Sequence, residues 1–309
     1  MPPAAVTVVE TTDRAALGAL LKLDSLIDLV IPRGGEGLIR MVAENSRIPT
    51  IKHFKGVCHV YVDDPADLNL AQVILMNSKL QRVATCNTAE TLLVHARAAQ
   101  QFLPTVAKAL IEKNCDLRVC PRTRAILNEN GVSSPQIKDA DEQTFYTEYL
   151  DRILSVRIVD SLEEAADHIE KYGSRHTESI VTSDPERGRR FQNLVDSACV
   201  FVNASTRLCD GFEFGLGAEI GISTDKLHAR GPMGAGGTDH VQMAGRRDGA
   251  VADLKNFSRK GLARPVAATK KLMFPLSVLR ALRGKKGIPF SPRRTQRALR
   301  GDGKGCWNF

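Results

Sequence analysis

Several kinds of segment are missing from this 309-residue sequence, and each absence argues against a class of protein. No apolar run approaches the roughly 18 residues of a spanning helix, so we expect no membrane association. The N-terminus has neither a basic region nor a long apolar core, which argues against a secretory signal. Seven scattered cysteines, an odd number, argue against a disulfide scaffold and favour a cytoplasmic protein. Cys115 and Cys120 have no second pair nearby, so we expect no metal site.

Acidic residues are scarce at one end of the chain only. Residues 1–245 carry 26 Lys and Arg against 32 Asp and Glu, a net charge of −6. Residues 246–309 carry 17 basic residues against three Asp, a net charge of +14, and all fifteen Glu lie at or before Glu219. The overall charge of +8 therefore comes from a basic tail, and it does not by itself indicate a nucleic-acid-binding protein.

Short apolar segments alternate with helical patterns in the first 202 residues, which predicts an α/β fold with a mostly parallel sheet. The expected strands are Val6–Val9, Ile27–Ile31, Pro49–His53, Val57–Val62, Leu154–Val159, Ser179–Thr182 and Ala198–Val202. The expected helices are Thr12–Leu21 with Thr12 as its cap, Leu38–Ala43, Leu68–Leu80, Thr88–Phe102, one from a capping box at Ser161 to Lys171, and one between the last two strands.

Cys86 is the strongest candidate for a reactive residue, since it lies just before the expected helix Thr88–Phe102. A helix N-terminus presents free N–H groups and a partial positive charge, which favour the nucleophilic thiolate over the thiol. The same N–H groups could hold an oxyanion formed when the sulfur attacks a carbonyl. Position alone leaves an alternative open, because a lone cysteine is commonly buried and inert.

Five long segments carry a resemblance to a known family. They are Ile31–Ile39 (IPRGGEGLI), Ile51–Val62 (IKHFKGVCHVYV), Thr85–His95 (TCNTAETLLVH), Ser197–Arg207 (SACVFVNASTR) and Glu213–Thr224 (EFGLGAEIGIST), the last followed by KLHARGPMG. In this order they resemble the gamma-glutamyl phosphate reductase family of the aldehyde dehydrogenase superfamily. The resemblance runs from about Val6 to Gly234. It implies an aldehyde dehydrogenase-like fold: residues 1–84 as the second half of a Rossmann-type NADP-binding domain, 85–234 as an α/β catalytic domain, and 235–309 as a basic, disordered tail.

The resemblance implies a reaction, the NADPH-dependent reduction of L-glutamate 5-phosphate to L-glutamate 5-semialdehyde in proline biosynthesis. Cys86 matches the catalytic cysteine, whose thiolate would displace phosphate to form a thioester that hydride then reduces. An acyl phosphate has a good leaving group, so no strong base is needed to activate a water. This agrees with the sequence Ile51-Lys52-His53, where hydrolytic relatives carry a glutamate base. A broader aldehyde dehydrogenase, or the reductase half of a bifunctional pyrroline-5-carboxylate synthase, is the alternative.

The resemblance also implies binding residues. Arg33, Gly34 and Gly35 match a turn beside the cofactor pyrophosphate, with an ordinary glycine turn as the alternative. Glu148 matches a carboxylate that holds the nicotinamide ribose, with a plain surface charge as the alternative.

The substrate side is expected just after the last strand. Asn203, Ser205, Thr206 and Arg207 are candidates for the α-carboxylate of the substrate, since the fork of donors on arginine suits a carboxylate. A surface ion pair is the alternative role of Arg207.

Two residues depart from the family pattern on that same side. Arg175 and Phe212 stand where the family has glycine, and either side chain would crowd a loop that needs positive φ.

The two ends of the chain differ from the family. The family's sequence begins well upstream of Val6, so we expect this chain alone to bind NADPH poorly, to be inactive, and to lose the family's homo-oligomer. After Gly234 the family continues Leu-Glu-Glu-Leu-Thr-Thr-Tyr-Lys-Trp, and permitted codons for 235–245 read almost this sequence when shifted by one base. We therefore hypothesise a frame slip near Gly234. A basic arm that binds nucleic acid is the alternative reading of the tail.

Overall fold

The computed structural model describes residues 7–217, 219–226 and 230–234, and the backbone of 243–250. The chain divides into two compact units between Thr50 and Ile51. Of the expected tail 235–309, only the backbone of 243–250 lies within the described residues, and it forms a strand.

The first unit, described over residues 7–50, contains helices α1 (Arg14–Leu20) and α2 (Glu36–Asn45). Asp13, rather than the expected Thr12, caps α1, because its carboxylate accepts the Ala15 N–H at 2.9 Å.

Three expected strands near the start of the chain are not formed. Residues 7–9 are irregular, and Ile27–Ile31 and Pro49–His53 contribute one parallel bridge between Val30 and Thr50. An apolar run becomes a strand only where neighbouring strands pair with its backbone, and a single bridge does not extend into a ladder.

The second unit contains the remaining helices and all the strands of the described residues. Its helices are α3 (Leu68–Leu80), α4 (Ala96–Glu112), α5 (Pro121–Glu129), α6 (Glu142–Phe145), α7 (Leu162–Tyr172) and α8 (Pro185–Leu194). Its strands are β1 (Cys58–Val62), β2 (Ala89–His95), β3 (Asp116–Val119), β4 (Ile137–Asp139), β5 (Ile153–Val159), β6 (Thr177–Val181), β7 (Cys199–Ala204), β8 (Gly221–Ser223), β9 (Gly231–Met233) and β10 (Met243–Ala250).

Eight of these strands form one parallel sheet in the order β10-β7-β6-β1-β2-β5-β3-β4, and β8 and β9 form an antiparallel pair. Alternate residues of β1 face opposite sides: Val60 and Val62 pack with α3 and α4, whereas Tyr61 packs with α7 and α8. Helices therefore cover both faces of the sheet, which confirms the predicted α/β architecture.

Several predicted elements are confirmed. Helix α3 has the predicted bounds, and its N-cap Asp67 accepts two backbone N–H groups. The Ser161 hydroxyl accepts the Glu164 N–H at 3.0 Å and opens α7 as expected. The Glu164 carboxylate reaches one residue further back than in an ideal capping box, since it accepts the Asp160 N–H at 2.7 Å.

The expected helix Thr88–Phe102 is wrong. Its first part is the central strand β2, and the helix α4 begins only at Ala96, after the cap residue His95. Leu92 and Leu93 are fully buried on opposite faces of the sheet, and a strand buried on both faces has the same continuous apolar run as a buried helix. Cys86 therefore lies in a turn before a strand, not at a helix N-terminus.

The domain boundary expected near residue 84 lies inside the second unit. Strand β1 pairs with both β2 and β6, so residues 58–62 share a sheet with the segment expected to be the catalytic domain. Within the described part of the chain, no helix combines the length and apolarity needed to cross a bilayer.

Candidate active site

The candidate site lies where three strands of the parallel sheet begin. Cys86 comes three residues before β2, His176 comes directly before β6, and His53 comes shortly before β1. Because β1, β2 and β6 are parallel neighbours, their amino ends meet at one edge of the sheet. Sγ of Cys86 and one ring nitrogen from each histidine all lie within 4.8 Å of one another. The sheet topology thus gathers one thiol and two imidazoles.

The turn that carries Cys86 is held through its backbone. The thiol of Cys58 donates a hydrogen bond to the carbonyl oxygen of Cys86 at 3.2 Å. Burial, together with the nearby Glu178 carboxylate, raises the pKa of Cys58 well above its usual value. Cys58 therefore stays protonated and can act as the hydrogen-bond donor. Cys58 is fully buried, whereas Cys86 is partly exposed to solvent.

The two histidines have different surroundings. His176 is fully buried, and burial together with the nearby His53 lowers its pKa to about 3, so its ring is neutral at pH 7. Its Nδ1 lies 2.7 Å from the Thr177 hydroxyl, and its Nε2 is buried with no hydrogen-bond partner within the described part of the chain. Nδ1 of His53 lies 3.0 Å from the carbonyl oxygen of Ile222. Since a carbonyl only accepts, Nδ1 of His53 is the donor in this hydrogen bond.

Arg207 is buried beside the Cys86 turn, which corrects the alternative reading of a surface ion pair. Its guanidinium donates to the side chains of Gln81 at 2.7 Å and Thr85 at 3.0 Å, and also to Asn87. Thr85 and Asn87 flank Cys86 directly. Arg207 therefore ties the end of α3 to the turn that presents the thiol.

The other predicted substrate residues lie at the end of β7 and just after it. Asn203, near the carboxyl end of β7, has a φ of +54°, and its amide exchanges two 2.9 Å hydrogen bonds with the backbone of Thr182. Its side chain thereby joins the carboxyl ends of β6 and β7, at the opposite edge of the sheet from Cys86. Ser205 pairs with the Ser78 hydroxyl at 3.0 Å, and the Thr206 hydroxyl is buried without a partner among the described residues.

The predicted cofactor residues lie in different units. Glu148 accepts the backbone N–H of Gly56 at 2.7 Å, in the segment that leads into β1. Arg33, Gly34 and Gly35 directly precede α2 in the first unit, and Gly35 is the N-cap with no side-chain cap hydrogen bond. Gly34 has a φ of +153°, so this turn does require glycine there.

The sequence and the fold of this chain are similar to those of known proteins. No protein-family model matches the chain. The gamma-glutamyl phosphate reductase of Thermodesulfovibrio yellowstonii is 54% identical over 229 residues, which is 74% of this chain and 53% of that protein. The crystal structure of the Thermotoga maritima gamma-glutamyl phosphate reductase is 44% identical with a TM-score of 0.69, over 73% of this chain and 53% of that one. This chain belongs to the gamma-glutamyl phosphate reductase family.

The chain spans about half the length of the curated relatives it matches. A wider fold similarity extends to the propionaldehyde dehydrogenase of Rhodopseudomonas palustris, with 18% identity and a TM-score of 0.50 over 75% of this chain and 56% of that one. The predicted family and its aldehyde dehydrogenase-like α/β fold are therefore confirmed.

One of the two departures from the family's glycine pattern has the expected consequence. Arg175 has a φ of +59°, the left-handed conformation that glycine adopts without cost. Phe212 shows no positive φ, and its side chain is 67% exposed, so the crowding expected there does not occur.

Neither histidine was among the site residues expected from the sequence. His53 lies in the segment Ile51–Val62, and His176 directly follows Arg175. The signal that would have found them is positional: each comes just before an apolar strand, as Cys86 does, so a parallel sheet places all three at one edge.

Proposed function

We propose that this chain carries the thiol-dependent half of a gamma-glutamyl phosphate reductase. Its reaction is the reduction of L-glutamate 5-phosphate to L-glutamate 5-semialdehyde and phosphate, with NADPH as the reductant. The observation that carries the proposal is the partly exposed Cys86 thiol gathered with two imidazoles at the edge of a family-typical sheet.

The first step is acyl transfer to sulfur. The Cys86 proton passes to an imidazole, and we assign this role to His53 because burial disfavours the protonated form of His176. The thiolate attacks the acyl carbon, a carbon–sulfur bond forms, and the carbon–oxygen bond to phosphate breaks as phosphate leaves with the electron pair. This divides one difficult displacement into two easier steps through a thioester.

The second step needs a reductant, and NADPH supplies a hydride when it is bound. That hydride would add to the thioester carbon and leave an oxyanion, which would re-form the carbonyl as the carbon–sulfur bond breaks and the aldehyde is released. The protonated imidazole at the sheet edge would return its proton to the departing Cys86 sulfur. Arg33, Gly34 and Gly35 suit the pyrophosphate, since the start of α2 has no side-chain cap and a Cβ on Gly35 would meet no atom within 4 Å. We assign the nicotinamide ribose to Glu148.

The substrate's α-carboxylate is assigned to the segment after β7. Arg207 brings a buried positive charge to the residues that flank Cys86, and Thr206 has a buried hydroxyl without a partner in the described ranges. Asn203 and Ser205 support this segment through their hydrogen bonds to Thr182 and Ser78.

The acyl-transfer step can be tested without cofactor, so the missing part of the family's length does not prevent the experiment. The purified chain is mixed with L-glutamate 5-phosphate generated in situ, and phosphate release is followed without NADPH. We expect a burst of about one phosphate per chain that is absent in Cys86→Ser and retained in Cys120→Ser. A burst of equal size in Cys86→Ser would show that Cys86 is not the nucleophile.

A further inference from the structure

We propose that His53, Cys86 and His176 bind a thiophilic divalent cation, Zn²⁺, which blocks the Cys86 thiol reversibly. The site is separate from Cys115 and Cys120, whose spacing argued against a metal. It also goes beyond the reductase activity, since the reaction proposed above needs no metal.

The donor set is the first support. One thiolate and two imidazoles are ligands that Zn²⁺ prefers, and three protein ligands leave a fourth position open for water or substrate. With Zn–S bonds of about 2.3 Å and Zn–N bonds of about 2.0 Å, tetrahedral ligand atoms lie roughly 3.3–3.6 Å apart. The atoms here lie within 4.8 Å of one another, so closure needs an inward shift of about an ångström or less on average. The Cys86 side chain is partly exposed and can supply that movement by rotating about its Cα–Cβ bond while the turn backbone stays in place.

The surroundings of the histidines are the second, independent support. Metal-bound histidines commonly use one ring nitrogen for the metal and engage the other with an oxygen atom that fixes the ring. Nδ1 of His53 donates to the Ile222 carbonyl at 3.0 Å, and Nδ1 of His176 lies 2.7 Å from the Thr177 hydroxyl. Nε2 of His176 is buried with no hydrogen-bond partner among the residues that the structure describes, which is costly unless a ligand completes it.

The position of the ligands predicts what binding does. A cation bound to the Cys86 sulfur occupies the electron pair that would attack the acyl carbon. Binding therefore competes with acylation and alkylation of Cys86. A chelator that removes the cation restores the thiol, because no covalent bond to carbon has formed.

The test uses Co²⁺ as a spectroscopic probe on the full 309-residue chain, in buffer free of thiols and chelators. We expect one Co²⁺ per chain with near-ultraviolet thiolate-to-cobalt absorption, displaced by Zn²⁺. The absorption should vanish in Cys86→Ser, and affinity should fall at least about tenfold in His53→Ala and in His176→Gln. Cys120→Ser is the matched control, since Cys120 is another partly exposed thiol and should leave binding unchanged. Wild-type absorption in Cys86→Ser, or wild-type affinity in both histidine variants, would overturn the site.

A second measurement needs no variant that could misfold. The unaltered chain is treated with iodoacetamide with and without Zn²⁺, and the alkylated cysteines are quantified by peptide mass spectrometry. We expect Zn²⁺ to slow alkylation of Cys86 at least about tenfold and to leave Cys120 unaffected, with recovery on adding a chelator. Equal protection of both cysteines, or none at Cys86, contradicts the proposal. Neither readout requires turnover, so a chain that binds Zn²⁺ but transfers no acyl group would separate this inference from the reductase function.

Discussion

Gly56 packs directly against the carbonyl oxygen of Cys86, and a Cβ built on Gly56 would overlap that oxygen. The Gly56 N–H is meanwhile held by Glu148 at 2.7 Å. The backbone before β1 therefore contacts the Cys86 turn and helps to fix its position. Position 56 requires glycine because the two backbones approach closely, and this requirement is visible only when both segments are considered together.

Gly56→Ala tests this contact. The added methyl must push the Cys86 turn or the segment before β1 away, since both partners are backbone. We expect the free energy of unfolding to fall by about 2–3 kcal/mol and acyl transfer to Cys86 to slow roughly 10²-fold. Urea denaturation and the phosphate burst measure the two effects.

Gly37→Ala is the matched control for that substitution. A Cβ at Gly37, inside helix α2, meets no atom within 4 Å, so alanine there should raise stability by about 0.5–1 kcal/mol through helix propensity. Equal behaviour of the two alanine variants would mean that Gly56 does not press on the Cys86 turn.

Arg175 predicts a backbone effect that side-chain contacts do not explain. Its φ of +59° is unfavourable for a residue with a Cβ, and within the described residues its side chain forms only an exposed ion pair with Glu170. Arg175→Gly and Arg175→Ala both lose that ion pair. We therefore expect the glycine variant to be more stable than the alanine variant by about 1 kcal/mol in urea denaturation. The reverse order would show that the left-handed conformation is not what this position requires.

Arg207→Lys tests the link between α3 and the Cys86 turn. Lysine keeps a positive charge but cannot reproduce the fork that reaches Gln81, Thr85 and Asn87 together. We expect a loss of about 2 kcal/mol in the free energy of unfolding and a slower phosphate burst. Arg189→Lys is the control, since Arg189 lies on the exposed face of α8 beside Glu186 and should change neither. An Arg207→Lys chain with wild-type stability and a wild-type phosphate burst would show that Arg207 does not position the Cys86 turn.

The Asp63–Arg187 pair predicts a pH dependence. Burial alone would raise the pKa of Asp63, but hydrogen bonds from Arg187, the Asp64 backbone and Tyr61 outweigh it and hold the pKa below its ordinary 3.8. A carboxyl with a depressed pKa stabilises the fold above its unfolded pKa, and that stability is lost as pH falls through the folded pKa. The contribution of this pair to the free energy of unfolding should therefore be fully present at pH 7 and decline below about pH 4.

Arg187→Gln isolates the pair. It leaves Asp63 buried without its cation, so we expect the variant to be about 3 kcal/mol less stable at pH 7. The pKa of Asp63 should then lie above its unfolded value, and the deficit should shrink as pH falls toward 3.5. Urea midpoints at both pH values measure this. A deficit that stays constant with pH would show that Asp63 does not titrate differently in the two chains.

Much of the fold could be predicted where a local signal marks the end of an element. Helix α3 has an Asp67 cap and a clear end, and β5 and α7 are divided by the Ser161 cap, so their bounds were nearly right. Residues 88–102 failed because Leu92 and Leu93 are buried on opposite faces, a pattern that a strand and a helix share.

The candidate site was likewise predicted in part. Cys86 was found from its motif, yet the reason first given for its reactivity, a helix N-terminus, is replaced by two imidazoles. His53 and His176 are 123 positions apart and meet only because β1 and β6 pair in parallel. Such a contact depends on strand order, which local patterns do not determine.

Peptide mass spectrometry after exposure to acyl phosphate tests the central claim most directly. The chain is incubated with L-glutamate 5-phosphate generated in situ, without NADPH, then quenched in acid and digested. We predict one hydroxylamine-labile glutamyl group, located on Cys86, and none on Cys58 or Cys120. An acyl group on any other cysteine, or an unmodified Cys86 in a chain that has consumed the acyl phosphate, would contradict the account.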